Sequence, residues 1–139
     1  MRAAWLGLLL AAAASTGIAC GVCVEDKIAA VYDHAAIARA LDAKQVVVFF
    51  AIDGKLVPGN RRAIDAIARS APGVDPASVR VSIDLASLAL AFDARRTSLA
   101  AVQATLDRRL APLGLSLLAM QVMDAPGDLA GVRQASTPR

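Results

Sequence analysis

The chain has 139 residues, 57% of them hydrophobic, but 32 are alanine and only 4% are aromatic. That length fits one domain with a core of small side chains, and so few rings exclude a stacking platform for single-stranded nucleic acid. Fifteen basic and twelve acidic residues, with no run of like charge, exclude a basic arm or acidic tail, and two cysteines exclude a disulfide-dense scaffold.

Residues 1–19 read as an export signal. Arg2 supplies a positive start, and Leu6 to Ala14 is an apolar stretch too short for a permanent membrane helix. Ser15, Thr16 and Gly17 break the run, and Gly17 and Ala19 place small residues three and one before a cut at Cys20. No later apolar run approaches the length of a span, so the expected product is exported, without a transmembrane segment. The bias to Ala, and to Arg over Lys, points to a GC-rich bacterium and so to the periplasm. The alternative processing makes Cys20 the acylated residue of a lipoprotein; Ala19 fits that pattern, Gly17 and Ile18 do not.

Cys20-Gly21-Val22-Cys23 opens the mature chain, and residues 20–44 form its first unit. Ile28, Val31, Ala35, Ala38 and Leu41 step by three or four, which predicts a helix over 25–42 with Glu25 and Asp26 in its first turn. A second option is a short strand over Ile28–Tyr32 and then a helix capped by Asp33. Val46 to Ile52 is seven apolar residues, mostly β-branched or aromatic, and predicts a central strand. A loop over Gly54–Asn60 follows. Ile64, Ile67, Ala68 and Ala71 mark a helix that stops before Pro72-Gly73.

Val79, Val81, Ile83 and Leu85 alternate with polar residues and predict a half-buried strand. Leu88, Leu90 and Phe92 form its hairpin partner across Ala86-Ser87. Thr97 or Ser98 caps a helix bearing Leu99, Val102, Leu106 and Leu110, which Pro112 and Gly114 end. Leu115 to Met123 is the last strand, and residues 125–139 read as a flexible tail rich in Pro, Gly, Ser and Thr.

From Val46 the order is β-α-β-β-α-β. With right-handed crossovers this gives an α+β, ferredoxin-like sandwich over residues 45–124, both helices on one face, plus an additional N-terminal helix. The first strand is apolar on both faces, however. Leaving Val47 and Phe49 wet would cost roughly 1.5–3 kcal/mol each. The N-terminal helix is therefore expected to cover that second face through Ile28, Val31, Ala35, Ala38 and Leu41, unless a dimer does so; monomer and homodimer both remain open.

The stretch from Val46 to Met123 resembles the heavy-metal-associated domain family, small copper- and zinc-carrying modules of metallochaperones and metal-pumping ATPases. Ile52-Asp53-Gly54-Lys55-Leu56-Val57-Pro58-Gly59-Asn60 looks like the family's strand end and Gly-Met-Thr-Cys-x-x-Cys loop. Ala71-Pro72-Gly73-Val74 is similar to its Pro-Gly-Val turn, Ala89-Leu90-Ala91-Phe92-Asp93 to its strand ending in Tyr-Asp-Pro, and Leu113-Gly114-Leu115 to its Leu-Gly-Tyr turn. The resemblance implies the fold. It does not carry the loop's ligands across, because the two cysteines fall on Val57 and Asn60, which offer Cu(I) no soft thiolate.

The CxxC stands instead at Cys20 and Cys23. As a metal site, two thiolates clasp Cu(I) or supply half of a Zn²⁺ site, and a free α-amine at Cys20 adds a donor. His34 is a solvated histidine on this reading, about 16 Å further along a straight helix. As a redox pair, the thiols would exchange disulfides, but no strand precedes them and Glu25 and Asp26 oppose a thiolate. As a structural pair, they would close a small disulfide in an oxidising compartment. Asp33, Asp84 and Asp93 show no paired-carboxylate pattern, and there is no phosphate loop or nucleophile elbow. Arg61-Arg62, Arg95-Arg96 and Arg108-Arg109 read as solvated helix ends and turns. The functional expectation is a non-enzymatic, exported soft-metal binder using Cys20 and Cys23, with Cu(I) or Zn as cofactor. The alternatives are a periplasmic interaction module with a structural disulfide, serving a protein partner the sequence does not name, or a thiol–disulfide oxidoreductase.

Overall fold

The computed structural model describes residues 23–125. The expected signal, Cys20, Gly21, Val22 and the segment 126–139 lie outside the described residues. In chain order the elements are α1 (Val24–Ala29), α2 (His34–Asp42), β1 (Val46–Asp53), α3 (Asn60–Arg69), β2 (Val74–Ser82), β3 (Ser87–Phe92), α4 (Leu99–Leu110), a 3₁₀ turn (Ala111–Leu113) and β4 (Ser116–Met123).

β1 is the strand whose residues are apolar on both sides, and it takes an inner place. The sheet order is β2-β3-β1-β4, with every neighbouring pair antiparallel. Together with the two helical crossovers this is the expected ferredoxin-like sandwich. Val48, Phe50 and Ile52 point from β1 into the main core, with Leu88, Leu90 and Phe92 of β3 beside them. Ile64 and Ala68 of α3, and Val102, Leu106 and Leu110 of α4, close that core from one side. Ser98 caps α4 by accepting a hydrogen bond from the Ala101 N–H (3.1 Å), and Gly114 ends the following 3₁₀ turn in the left-handed conformation at φ 71°. Gly54, at φ 119°, lies so close to Gly114 that a Cβ would sit 2.3 Å from its carbonyl oxygen.

The other face is covered by α1 and α2. Val47 and Phe49 of β1 are 3% and 0% exposed, in a second cluster with Ala89 and Ala91 of β3 and with Val31, Ile37 and Ala40. Tyr32 stacks on Phe49 with ring centroids 6.3 Å apart and planes inclined by 7°. Within one chain, the expected second cover is thus in place.

Four sequence expectations need correction. The single helix over 25–42 is two helices. Asp33 adopts an extended conformation, and its side chain accepts the Ala36 N–H (3.0 Å), starting α2 afresh. The alternative of a helix capped by Asp33 holds for α2, while Ile28–Tyr32 forms no strand. The new start also shifts the helix face: Ala36, Ile37 and Ala40 are buried, and Ala35 is exposed. β2 begins at Val74, five residues before the expected Val79, and stops at Ser82. Its register shifts between Asp75 and Arg80, where the Ser78 hydroxyl accepts the Ala91 N–H (2.7 Å) and donates to the Asp75 carbonyl (2.6 Å). That substitution for ladder bonds lets Pro76 stay in the strand. Finally, Ile83–Ala86 form a four-residue turn, closed by the Ala86 N–H on the Ile83 carbonyl (3.2 Å), in place of a turn at Ala86-Ser87.

Candidate functional site

Cys23 is the described half of the CxxC. It is exposed and extended at φ −69° and ψ 153°, immediately before α1. Its carbonyl accepts the Lys27 N–H (3.2 Å), so Cys23 is fixed one helical turn ahead of Lys27. The Lys27 ammonium crosses to the β2–β3 turn and donates to the Leu85 carbonyl at 2.9 Å, with the Ala86 carbonyl at 3.5 Å. These residues lie 58 and 59 positions apart, and no local pattern in the sequence announces the link.

The turn that receives Lys27 belongs to one particular end of the sheet. Ala51 faces Ser87, and the Ile52 N–H donates to the Ala86 carbonyl (2.8 Å). Asp53 faces Ser116, and Gly54 abuts Gly114. The β1–α3 loop, the β2–β3 turn and the connection into β4 therefore share this end.

The β1–α3 loop is closed on itself. The Val57 N–H donates to Asn60 Oδ1 (3.1 Å), and the Asn60 N–H donates to the Val57 carbonyl (2.9 Å). The amide oxygen of Asn60 thus holds the loop in shape, while the Val57 side chain is exposed.

His34 opens α2 and is exposed. The helix break between Ala29 and His34 removes the straight-helix geometry behind the sequence estimate of its distance from Cys23. Among the described residues, no three or more His, Cys, Asp or Glu side chains form a group able to hold a metal ion.

Two of the three singled-out acids, Asp33 and Asp93, have structural work. Asp33 accepts from the Ala36 N–H and from both Arg80 Nη2 (2.7 Å) and Nε (3.1 Å). The Ala36 N–H first, and then the Arg80 guanidinium, hold its carboxyl below the usual aspartate range. Asp93 is likewise lowered by the Arg95 guanidinium and the Arg95 N–H, and the same pairing raises Arg95. Asp84 is exposed in the β2–β3 turn. Arg108 and Arg109 occupy the last turn of α4, where they complement the helix dipole, and Arg109 also donates to Ser70 Oγ (3.1 Å).

α4 also fastens the outer strand. Asp107 Oδ1 accepts the Leu117 N–H (2.7 Å), and Gln103 Nε2 donates to the Leu117 carbonyl (2.9 Å). A cleft between α2 and the sheet, lined in part by Asp33, Ser78 and Arg80, has a volume of about 10 Å³. That is room for one water, far short of an organic substrate. No helix among the described residues is long and apolar enough to cross a membrane.

No protein-family model matches the sequence, and no curated protein matches it. Among solved structures, the chain is similar to oxidized MerP from Ralstonia metallidurans CH34, at 19% identity and a TM-score of 0.45, over 54% of this chain and 96% of that one. It is also similar to a copper binding domain from HMA7, a P-type ATPase, at 10% identity and a TM-score of 0.47, over 55% of this chain and 96% of that one.

Proposed function

We propose that this chain is an exported, non-enzymatic soft-metal binder in which Cys20 and Cys23 hold the ion, with Cu(I) as the first choice and Zn²⁺ as the second. The observation that carries this reading is the placement of Cys23. It is exposed, it precedes a helix tied to the sheet through Lys27, and its thiol is not committed to the core. Thiolates are soft donors that select Cu(I) over the hard cations suited to carboxylates. Two of them at CxxC spacing can reach one ion, and cleavage before Cys20 would add its amine. Binding requires both thiols reduced and releases their protons, so affinity should rise with pH.

A second reading takes the same cysteine pair in the oxidising compartment expected of an exported chain. In it the pair forms a structural disulfide, and the domain serves as an interaction module. A competition titration of the reduced chain 20–139 with Cu(I), against a chromogenic chelator, separates the two. The metal reading expects one tightly held equivalent, lost in Cys20→Ser. If the reduced chain takes neither Cu(I) nor, in a parallel titration, Zn²⁺ from the chelator, the metal reading fails.

A further inference from the structure

We infer that α1 is a strap that opens and closes over the β2–β3 turn end of the second face while α2 and the sheet stay folded. The inference is independent of the metal-binding reading. Its first basis is how lightly α1 is held. None of its six residues is buried, and only Lys27 and Ile28 are withdrawn from solvent even in part. Lys27 donates to the Leu85 carbonyl (2.9 Å), and Ile28 packs against the second cluster. The chain is held more firmly just beyond α1. Val31 is buried, Tyr32 stacks on Phe49, and Asp33 is bound by Arg80. Ala29 and Ala30, between the loose and the firm parts, are exposed and supply the hinge.

The second basis is what α1 covers. Ser87 opens β3, and by strand alternation it shares the face of Ala89 and Ala91, on which α1 lies. It directly follows Leu85 and Ala86, whose carbonyls face the Lys27 ammonium. Ser87 is fully buried, and among the described residues its hydroxyl has no hydrogen-bond partner. Such a hydroxyl forgoes the bonds that water would give it. The closed strap is therefore opposed from beneath, and lifting α1 lets water reach Ser87 Oγ. The charge-assisted Lys27 bond holds against that release. α2 is seated differently, with Ala36, Ile37 and Ala40 buried and Asp33 as its cap. A six-residue helix detached from its surface has no stability in water, so each opening melts α1 and frees its N–H groups.

The test is native-state hydrogen exchange of the chain 20–139, followed amide by amide by NMR in wild type, Lys27→Met and Ser87→Ala. The α1 reporters are the Lys27 and Ala30 N–H groups, which donate to the Cys23 and Asp26 carbonyls. The references are the Ile37 N–H in α2 and the Ile52 N–H, which donates to the Ala86 carbonyl in the turn that α1 grips. In wild type the α1 amides should exchange about 100-fold faster than both references, the mark of a local opening. Lys27→Met keeps the aliphatic stem and removes the donor, and it should speed α1 exchange about tenfold. Ser87→Ala should slow α1 exchange about fivefold, because the closed form no longer buries a lone hydroxyl. Simple fraying of the helix end would not respond to Ser87. α1 amides that exchange no faster than Ile37 and Ile52 overturn the strap, and so does an α1 rate that Ser87→Ala leaves unchanged.

Discussion

Replacing Phe49 by Ala is the sharpest perturbation of the covered second face. Phe49 is fully buried although it points away from the main core, and its neighbours are Val31, Ile37, Ala40, Val47, Ala89 and Ala91. Burying a side chain of this size contributes about 1.5–3 kcal/mol, and the stacked Tyr32 ring adds about 0.5–1.5 kcal/mol. The cavity left behind brings the expected loss to about 3–5 kcal/mol. Urea unfolding of the chain 20–139 measures it as a fall in midpoint at constant slope. Such a loss is a large share of the ~5–15 kcal/mol that holds a typical domain together. Phe49→Leu, expected to cost under about 1.5 kcal/mol if the site repacks, keeps the experiment readable should the Ala variant not fold. A loss below about 1 kcal/mol for Phe49→Ala would refute the reasoning, because it would mean α1 and α2 do not seal this face in solution.

Three further outcomes follow from particular contacts. Lys44 sits at φ 59° after α2, a conformation that costs a side-chain-bearing residue about 1–2 kcal/mol; Lys44→Gly should raise stability by about 0.5–1 kcal/mol in the same urea assay, and a loss would show that its side chain holds the helix end. Asp107→Ala leaves the Leu117 N–H without its carboxylate partner and should cost about 1–3 kcal/mol. It also frees part of the outer edge of β4, so sedimentation velocity should show concentration-dependent self-association absent from wild type. Asp33 has its folded-state carboxyl pKa lowered, so its stabilisation is complete above the ordinary value of 3.8 and is lost as pH falls through the folded value. The stability gap between wild type and Asp33→Asn should therefore be constant above about pH 5 and shrink below about pH 4; a gap that widens on acidification contradicts the assignment.

The sandwich was legible because strands and helices announce themselves by period. Val46–Ile52, Leu88–Phe92 and Leu115–Met123 read as strands in place to within a residue or so. The apolar second side of β1 even called for the cover that α1 and α2 provide. Where the reading slipped, a distant or unusual partner decided the backbone. The period of apolar and alanine positions runs straight through Asp33, and the break there is locked by Arg80, 47 positions away. Asp75-Pro76 looks like a strand breaker until the Ser78 hydroxyl takes over the ladder bonds. Ala86 accepts φ 49°, a conformation usually left to glycine, so nothing in its identity marks the turn. The site was legible only as chemistry. The sequence offered Cys20 and Cys23 as soft donors, but the Lys27 bond that ties α1 to the sheet depends on a carbonyl 58 positions away, and a backbone acceptor leaves no trace in side-chain pattern.

The central claim is that both cysteines of the mature chain hold one soft metal ion. Native mass spectrometry of the protein isolated from bacterial cells, reduced and then incubated with one equivalent of Cu(I), tests it most directly, since a single spectrum reports the processed N-terminus, acylation and metal load. The expected species begins at Cys20, carries no lipid and holds one copper per chain, and the Cys20→Ser and Cys23→Ser variants hold none. A reduced wild-type chain that remains copper-free, or equal copper on the serine variants, contradicts the claim.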